Sequence, residues 1–147
     1  MKSKPRPRIL MIEHDPDDRA LTKDVFADQQ YQVDIDFVDS GNGVMPYMDA
    51  AAGSQLLPNL ILLNVQLPPR DGMDILREIK THEQFYSIPV VMLSESNVPG
   101  IVNECYRSGA NSFIKKPSAS KETYDTIHAF IQYWFSVNSL PGDEMIG

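Results

Sequence analysis

Cysteine is nearly absent. Cys105 is the single one among 147 residues, so no internal disulfide can form, and a reducing cytoplasm is the expected setting. Cys105 itself is expected to be a small core residue rather than a reactive thiol. Long apolar runs are also missing. None approaches the roughly 20 residues that cross a bilayer. The opening MKSKPRPR is basic but is not followed by an apolar signal region, so neither a membrane span nor a secretory signal is expected. Positive charge is scarce: 13 Lys and Arg against 20 Asp and Glu leave a net charge of -7. That argues against nucleic acid or an anionic membrane as the partner. There is no internal repeat and no low-complexity linker, and no DNA-binding or enzymatic output domain is expected after Pro141.

What the chain does contain is an alternation of strand-like and helix-like segments. Residues 8–13 (RILMIE) read as a first strand. Pro16, Asp17 and Asp18 then suit a helix N-terminus, where acidic groups complement the dipole and proline fits the first turn. Residues 32–39 alternate apolar with polar, as an edge strand does. Residues 59–64, 89–93 and 111–115 read as three further strands, and helices are expected over 42–52, 71–82, 98–108 and 120–137. With the helix that starts at Pro16, five strands alternate with five helices, which implies an α/β class. The expected fold is a flavodoxin-like, doubly wound, five-stranded parallel sheet, (βα)5, with strand order 2-1-3-4-5. One domain over 8–140 is expected, with 1–7 and 141–147 as flexible ends.

Within that frame Asn64 stands out. The stretch LILLNVQLPPRDG is an apolar run that stops at one polar residue and then turns. The carboxyl end of a buried strand is where open α/β sheets place their ligand chemistry. Asn64 offers a neutral amide there, with no charge for a nucleophile or a metal ligand. The other strand ends converge on the same crevice. The first ends in Glu13-His14-Asp15, the fourth in Ser94, and the fifth leads to Lys115-Lys116-Pro117. Carboxylates, a hydroxyl and a lysine make a pocket suited to a phosphoryl group and Mg2+.

These pieces, in this order, resemble the receiver domain of bacterial two-component response regulators. The resemblance rests on the acidic end of the first strand, LILLNVQLPPRDG, VVMLSES, YRSGANSF and the IKKP loop, and spans nearly 8–137. It implies that Asn64 falls on the aspartate that receives phosphate from a sensor histidine kinase. Glu13 and His14 fall on the acidic pair that helps hold Mg2+, and the carbonyl of Gln66 on the backbone metal ligand. Ser94 and Phe113 fall on the hydroxyl and aromatic switch positions, and Lys116 on the lysine that pairs with the acceptor and then with phosphate.

Two positions depart from the family pattern. An amide at Asn64 is a poor nucleophile and removes a charge from the metal site. The imidazole of His14 suits zinc, copper, iron or nickel better than magnesium. A weak Mg2+ site of Glu13, Asp15, Asn64 and the Gln66 carbonyl is expected, with Asp15 as a stand-in for the missing carboxylate. The expectation is a pseudo-receiver, not an enzyme, that signals through protein contacts. Its alternatives are an ordinary phosphate-accepting regulator in an inactivated form, and a small-molecule or flavin binder in the same crevice.

The remaining candidates have plainer readings. Asp17, Asp18 and Asp24 read as a solvated helix face, His82 as a favourable charge near a helix C-terminus, and His128 as surface or packing. In the last helix Tyr124, Ile127, Phe130, Ile131, Trp134 and Val137 form a stripe that can cover the sheet. Tyr133 and Phe135 fall off that stripe, followed by Leu140 and Pro141, and the excess aromatics suggest a partner surface. FIQYWFSVNSLP is also similar to the ending of single-domain receivers of the phytochrome-associated class. Dimerisation through the fourth helix, fifth strand and fifth helix is therefore expected.

Overall fold

The structure is a computed structural model that describes residues 6–28, 32–116 and 120–141. Most of the expected flexible ends, Pro117, and the side chain of Tyr124 lie outside the described residues. The strands are β1 (Arg8–Ile12), β2 (Asp34–Val38), β3 (Leu60–Asn64), β4 (Gln66–Leu67), β5 (Arg70–Asp71), β6 (Val90–Ser94) and β7 (Ser112–Lys115). The helices are α1 (Pro16–Asp28), α2 (Val44–Gly53), α3 (Gly72–Thr81), α4 (Pro99–Arg107) and α5 (Ser120–Gln132).

The five long strands form one parallel sheet in the order β2-β1-β3-β6-β7. With β4 and β5 set apart as a small antiparallel hairpin, this is the doubly wound order that the sequence implies. β2, the alternating strand, is at an edge, and every one of its residues is half-buried. β1 and β3 lie inside the sheet and are almost wholly buried, as strands covered on both faces must be.

Strand pleating sends alternate residues to opposite faces, and two cores result. Leu10, Ile12, Ile61 and Leu63 face the side covered by α2, α3 and α4, where they meet Val44, Met48, Ile75, Leu76, Ile79 and Cys105. Ile9, Met11, Leu60 and Leu62 face α1 and α5, where they meet Phe26, Phe130, Ile131 and Trp134. Each fully buried Ile or Leu contributes about 1.5–3 kcal/mol. Cys105 is a core residue, as expected, with its sulfur 3.3 Å from that of Met73.

The end of the last helix differs from its sequence reading. After Gln132 the chain does not continue as an α-helix but winds through a π-type turn, Tyr133–Val137. The wider turn shifts the phase of the apolar stripe. Val137, expected to cover the sheet, is 75% exposed, whereas Leu140, beyond the stripe, is buried. Phe135 likewise packs against the α1/α5 core. Among the described residues no helix is long and apolar enough to cross a membrane.

Candidate functional site

The strand ends do converge. Glu13 follows β1 directly, held by its backbone N–H to the Val38 carbonyl at 3.0 Å and by Arg19 Nη1 donating to its own carbonyl at 2.9 Å. Its side chain is fully buried. Asn64 ends β3 opposite Leu93 and is 2% exposed. Ser94 ends β6 and is buried. Lys116 follows β7, with its backbone N–H donating to the Ser94 carbonyl at 2.7 Å.

One hydrogen-bonded network joins these residues. The Asn64 amide nitrogen, Nδ2, donates to Glu13 Oε2. Lys116 Nζ donates to Glu13 Oε1 and to Asp18 Oδ2 at 3.0 Å. The backbone N–H of His14 donates to Glu13 Oε2 at 3.1 Å. The orientation of the Asn64 amide follows from its partner, since a flipped amide would set oxygen against carboxylate oxygen. Asn64 Oδ1 is the one buried side-chain oxygen or nitrogen among the described residues without a hydrogen-bond partner.

The charges tune one another. Burial holds the Glu13 carboxyl above its ordinary range, with a contribution from Asp18, while Lys116 and Asn64 offset part of the rise. Burial acts in the same direction on Asp18, but its hydrogen bonds to Glu13 and Lys116 outweigh it and hold that carboxyl low. Burial would lower Lys116, yet the bonds and charges of Glu13 and Asp18 prevail and hold its ammonium above the usual lysine value. Of the two carboxylates that share one ammonium, the buried Glu13 therefore takes up a proton first as pH falls.

Asp18 is the residue that the sequence reading missed. It was expected on a solvated helix face, but α1 turns it toward Lys116. The available signal was the run Pro16-Asp17-Asp18, which puts an acid on more than one side of the first turn; its rotation about the helix axis is set by packing. Asp15 has a local role at the same helix end. Its Oδ1 accepts from the backbone N–H groups of Asp17 at 2.8 Å and Asp18 at 3.4 Å. Through that oxygen it caps the start of α1.

The other expected residues lie around the network. His14 is exposed, with Nδ1 3.7 Å from Glu13 Oε2, as a solvated loop histidine is. Ser94 Oγ accepts from Gln66 Nε2 at 3.3 Å and from the Ser96 N–H at 3.1 Å. Phe113 sits in β7 beside Met92 and packs against the core under α3 and α4, outside the hydrogen-bonded network. His82 stacks on Phe85 at 3.8 Å between ring centroids and accepts from the Gln84 N–H, so it organises the turn after α3. A cleft of about 850 Å3 opens beside Lys116, between α1, α5 and the sheet, floored by Met11, Leu62, Leu93 and Ile114. Asn64 does not line it.

Magnesium asks for an octahedron of oxygens with one or two carboxylates. Glu13 is the carboxylate in contact with Asn64, and both its oxygens already accept from this chain's own donors. One oxygen of Asp15, Oδ1, is engaged at the start of α1. No cluster of three or more His, Cys, Asp or Glu among the described residues is arranged to hold a metal. The unengaged buried side-chain oxygen left for a magnesium ion among the described residues is the neutral Asn64 Oδ1, so the donor set suits magnesium poorly.

Comparison with known proteins identifies the family and agrees with the fold. The profile of the family described as "Response regulator receiver domain" matches residues 9–128. Response regulator Rcp1 of Synechocystis sp. is 27% identical over 142 residues, covering 95% of this chain and 97% of the relative. The crystal structure of the phosphorylated cyanobacterial phytochrome response regulator RcpA superposes with a TM-score of 0.87 at 27% identity, covering 93% of this chain and 99% of that one. The Mn2+-bound form of Rcp1 gives 0.85 at 27% identity over the same shares of the two chains.

Proposed function

The chain belongs to the response regulator receiver domain family of two-component signalling, and from that premise we propose that it is a pseudo-receiver. It keeps the scaffold and signals through protein–protein contacts, without accepting phosphate at Asn64. The observation that carries this is the state of the Asn64 side chain. A phosphoryl acceptor needs an ionised oxygen in line with the phosphorus. Asn64 instead presents a neutral amide whose nitrogen is committed as a donor to Glu13. The relative Rcp1 has been seen with Mn2+ bound, whereas here the donor set predicts weak Mg2+ binding and no catalytic role.

The partner is a sensor histidine kinase or another signalling protein, met in the cytoplasm. The surface of α4 and of the turn after α5 favours association with a second copy. It exposes Tyr106 at 50%, Tyr133 at 51% and Val137 at 75%, and aromatics are enriched in interface cores. The test of the acceptor reading is incubation with a small phosphodonor and Mg2+, followed by intact mass. No phosphoryl adduct is expected on the natural chain. A stoichiometric adduct would refute the reading. Asn64→Asp separates a pocket that lacks only its acceptor, which would gain phosphate, from one degenerate at His14 as well, which would not.

A further inference from the structure

The misfit between this pocket and a metal ion leaves a question of charge. Glu13 is fully buried, and a buried carboxylate persists only when paired and hydrogen-bonded. A divalent cation is one way to meet that need. In this chain the need is met by covalently attached groups. Asn64 Nδ2 and the His14 N–H serve Glu13 Oε2, and Lys116 Nζ serves Oε1.

We infer that the site is neutralised from within. The Asn64 amide bridges β3 to the β1 end, and Lys116, anchored on α1 by Asp18, bridges β7 to the β1 end. Together they take the place of a bound divalent ion, so the integrity of the site is independent of metal. Asp18 is in this sense a positioning residue, because it fixes where the ammonium sits. The inference rests on the reading of Asn64 above and deepens it.

The charge count shows why the identity of residue 64 decides the matter. As the chain stands, Glu13 and Asp18 share Lys116, and Asn64 adds no charge. With Asn64→Asp, a carboxylate oxygen would face Glu13 Oε2 where an N–H now donates. Three carboxylates would then compete for one ammonium in a largely dry site, where like charges repel strongly. A cation would be needed to hold them. Removing the Asp18 charge from that variant would relieve part of the excess.

The experiment compares thermal unfolding in EDTA and in excess Mg2+ for the natural chain, Asn64→Asp, and the double variant Asn64→Asp with Asp18→Asn. The natural chain is expected to show the same Tm in both buffers. Asn64→Asp should fall in EDTA by on the order of 5 °C and recover in Mg2+, and the double variant should lose at least half of that Mg2+ response. A natural chain whose Tm rises with Mg2+ as much as that of Asn64→Asp overturns the inference. So does an Asn64→Asp chain that is equally stable in EDTA. An Mg2+ response that Asp18→Asn leaves intact removes Asp18 from it. If Asn64→Asp does not fold without metal, calorimetric titration of the natural chain with Mn2+ decides. Absence of binding in the millimolar range supports the inference, and stoichiometric binding overturns it. None of these measurements uses a phosphodonor. An adduct on the natural chain would therefore defeat the functional reading while leaving metal independence standing on its own result.

Discussion

Swapping a carboxylate oxygen for an amide NH2 barely changes the shape of a side chain, but it removes a charge and adds donors. At Asn64 that exchange converts a site of repulsion with Glu13 into a hydrogen bond. The amide is held in place by the chain behind it. Gly72 lies so close that a Cβ there would sit 2.2 Å from the Asn64 carbonyl oxygen and 2.8 Å from that of Val65. Both obstacles are backbone, and Gly72 N–H already bonds the Val65 carbonyl at 2.9 Å. Gly72→Ala should therefore push the end of β3 out of place and cost about 3 kcal/mol. Urea denaturation would show this as a lower midpoint, and an unchanged midpoint would refute it. Glu13, Asn64, Ser94 and Lys116 were legible in the sequence because each ends an apolar strand, and strand ends in a parallel sheet must meet. Asp18 and Asp15 were not. A helix-borne side chain can face solvent or pocket according to a rotation that the core decides, and a carboxylate that could reach a metal can instead cap the helix beside it.

Elements with a clean period were the legible ones. In α3 the spacing of Met73, Ile75, Leu76 and Ile79 leads to burial of all four, and the alternation in β2 places it at the sheet edge. The end of the last helix was not legible, because a π-type turn leaves the residue pattern unchanged while it rotates the faces. The hairpin of β4 and β5 was also missed, being too short to show a period. One tie between elements has a measurable consequence. Tyr47 on α2 donates its hydroxyl to Asp36 of β2 at 2.6 Å, and Asp36 in turn pairs with Arg8 of β1 at 3.2 Å. Burial, together with the hydrogen bond and charge of Asp36, pushes the Tyr47 phenol up to about 12 from 10.0. A raised folded pKa means that the folded state holds this proton more tightly. The contribution to stability is thus fully present below pH 10 and is lost as pH rises through about 12. Absorbance titration should show one tyrosinate appearing only near pH 12, and Tyr47→Phe should abolish that step. A Tyr47 phenol titrating at its ordinary value of 10.0 would remove the tie.

At the scale of the whole molecule the balance lies between an acidic surface and exposed apolar side chains. A net charge of -7 makes two copies repel, while Tyr106, Tyr133 and Val137 offer apolar area that water does not favour. Salt screens the repulsion over about 8 Å at physiological strength and leaves the apolar attraction in place. If α4, β7 and the end of α5 form the contact, self-association should strengthen as salt is added, the opposite of an interface held by ion pairs. A pseudo-receiver should also associate without any phosphodonor, since nothing at Asn64 is left to be switched. Sedimentation equilibrium at low and moderate salt checks both points. A dimer that tightens with salt, and that Val137→Asp converts to monomer, is the expected result. A monomer at every concentration and salt, or a dimer indifferent to Val137→Asp, would move signalling to another surface of the chain.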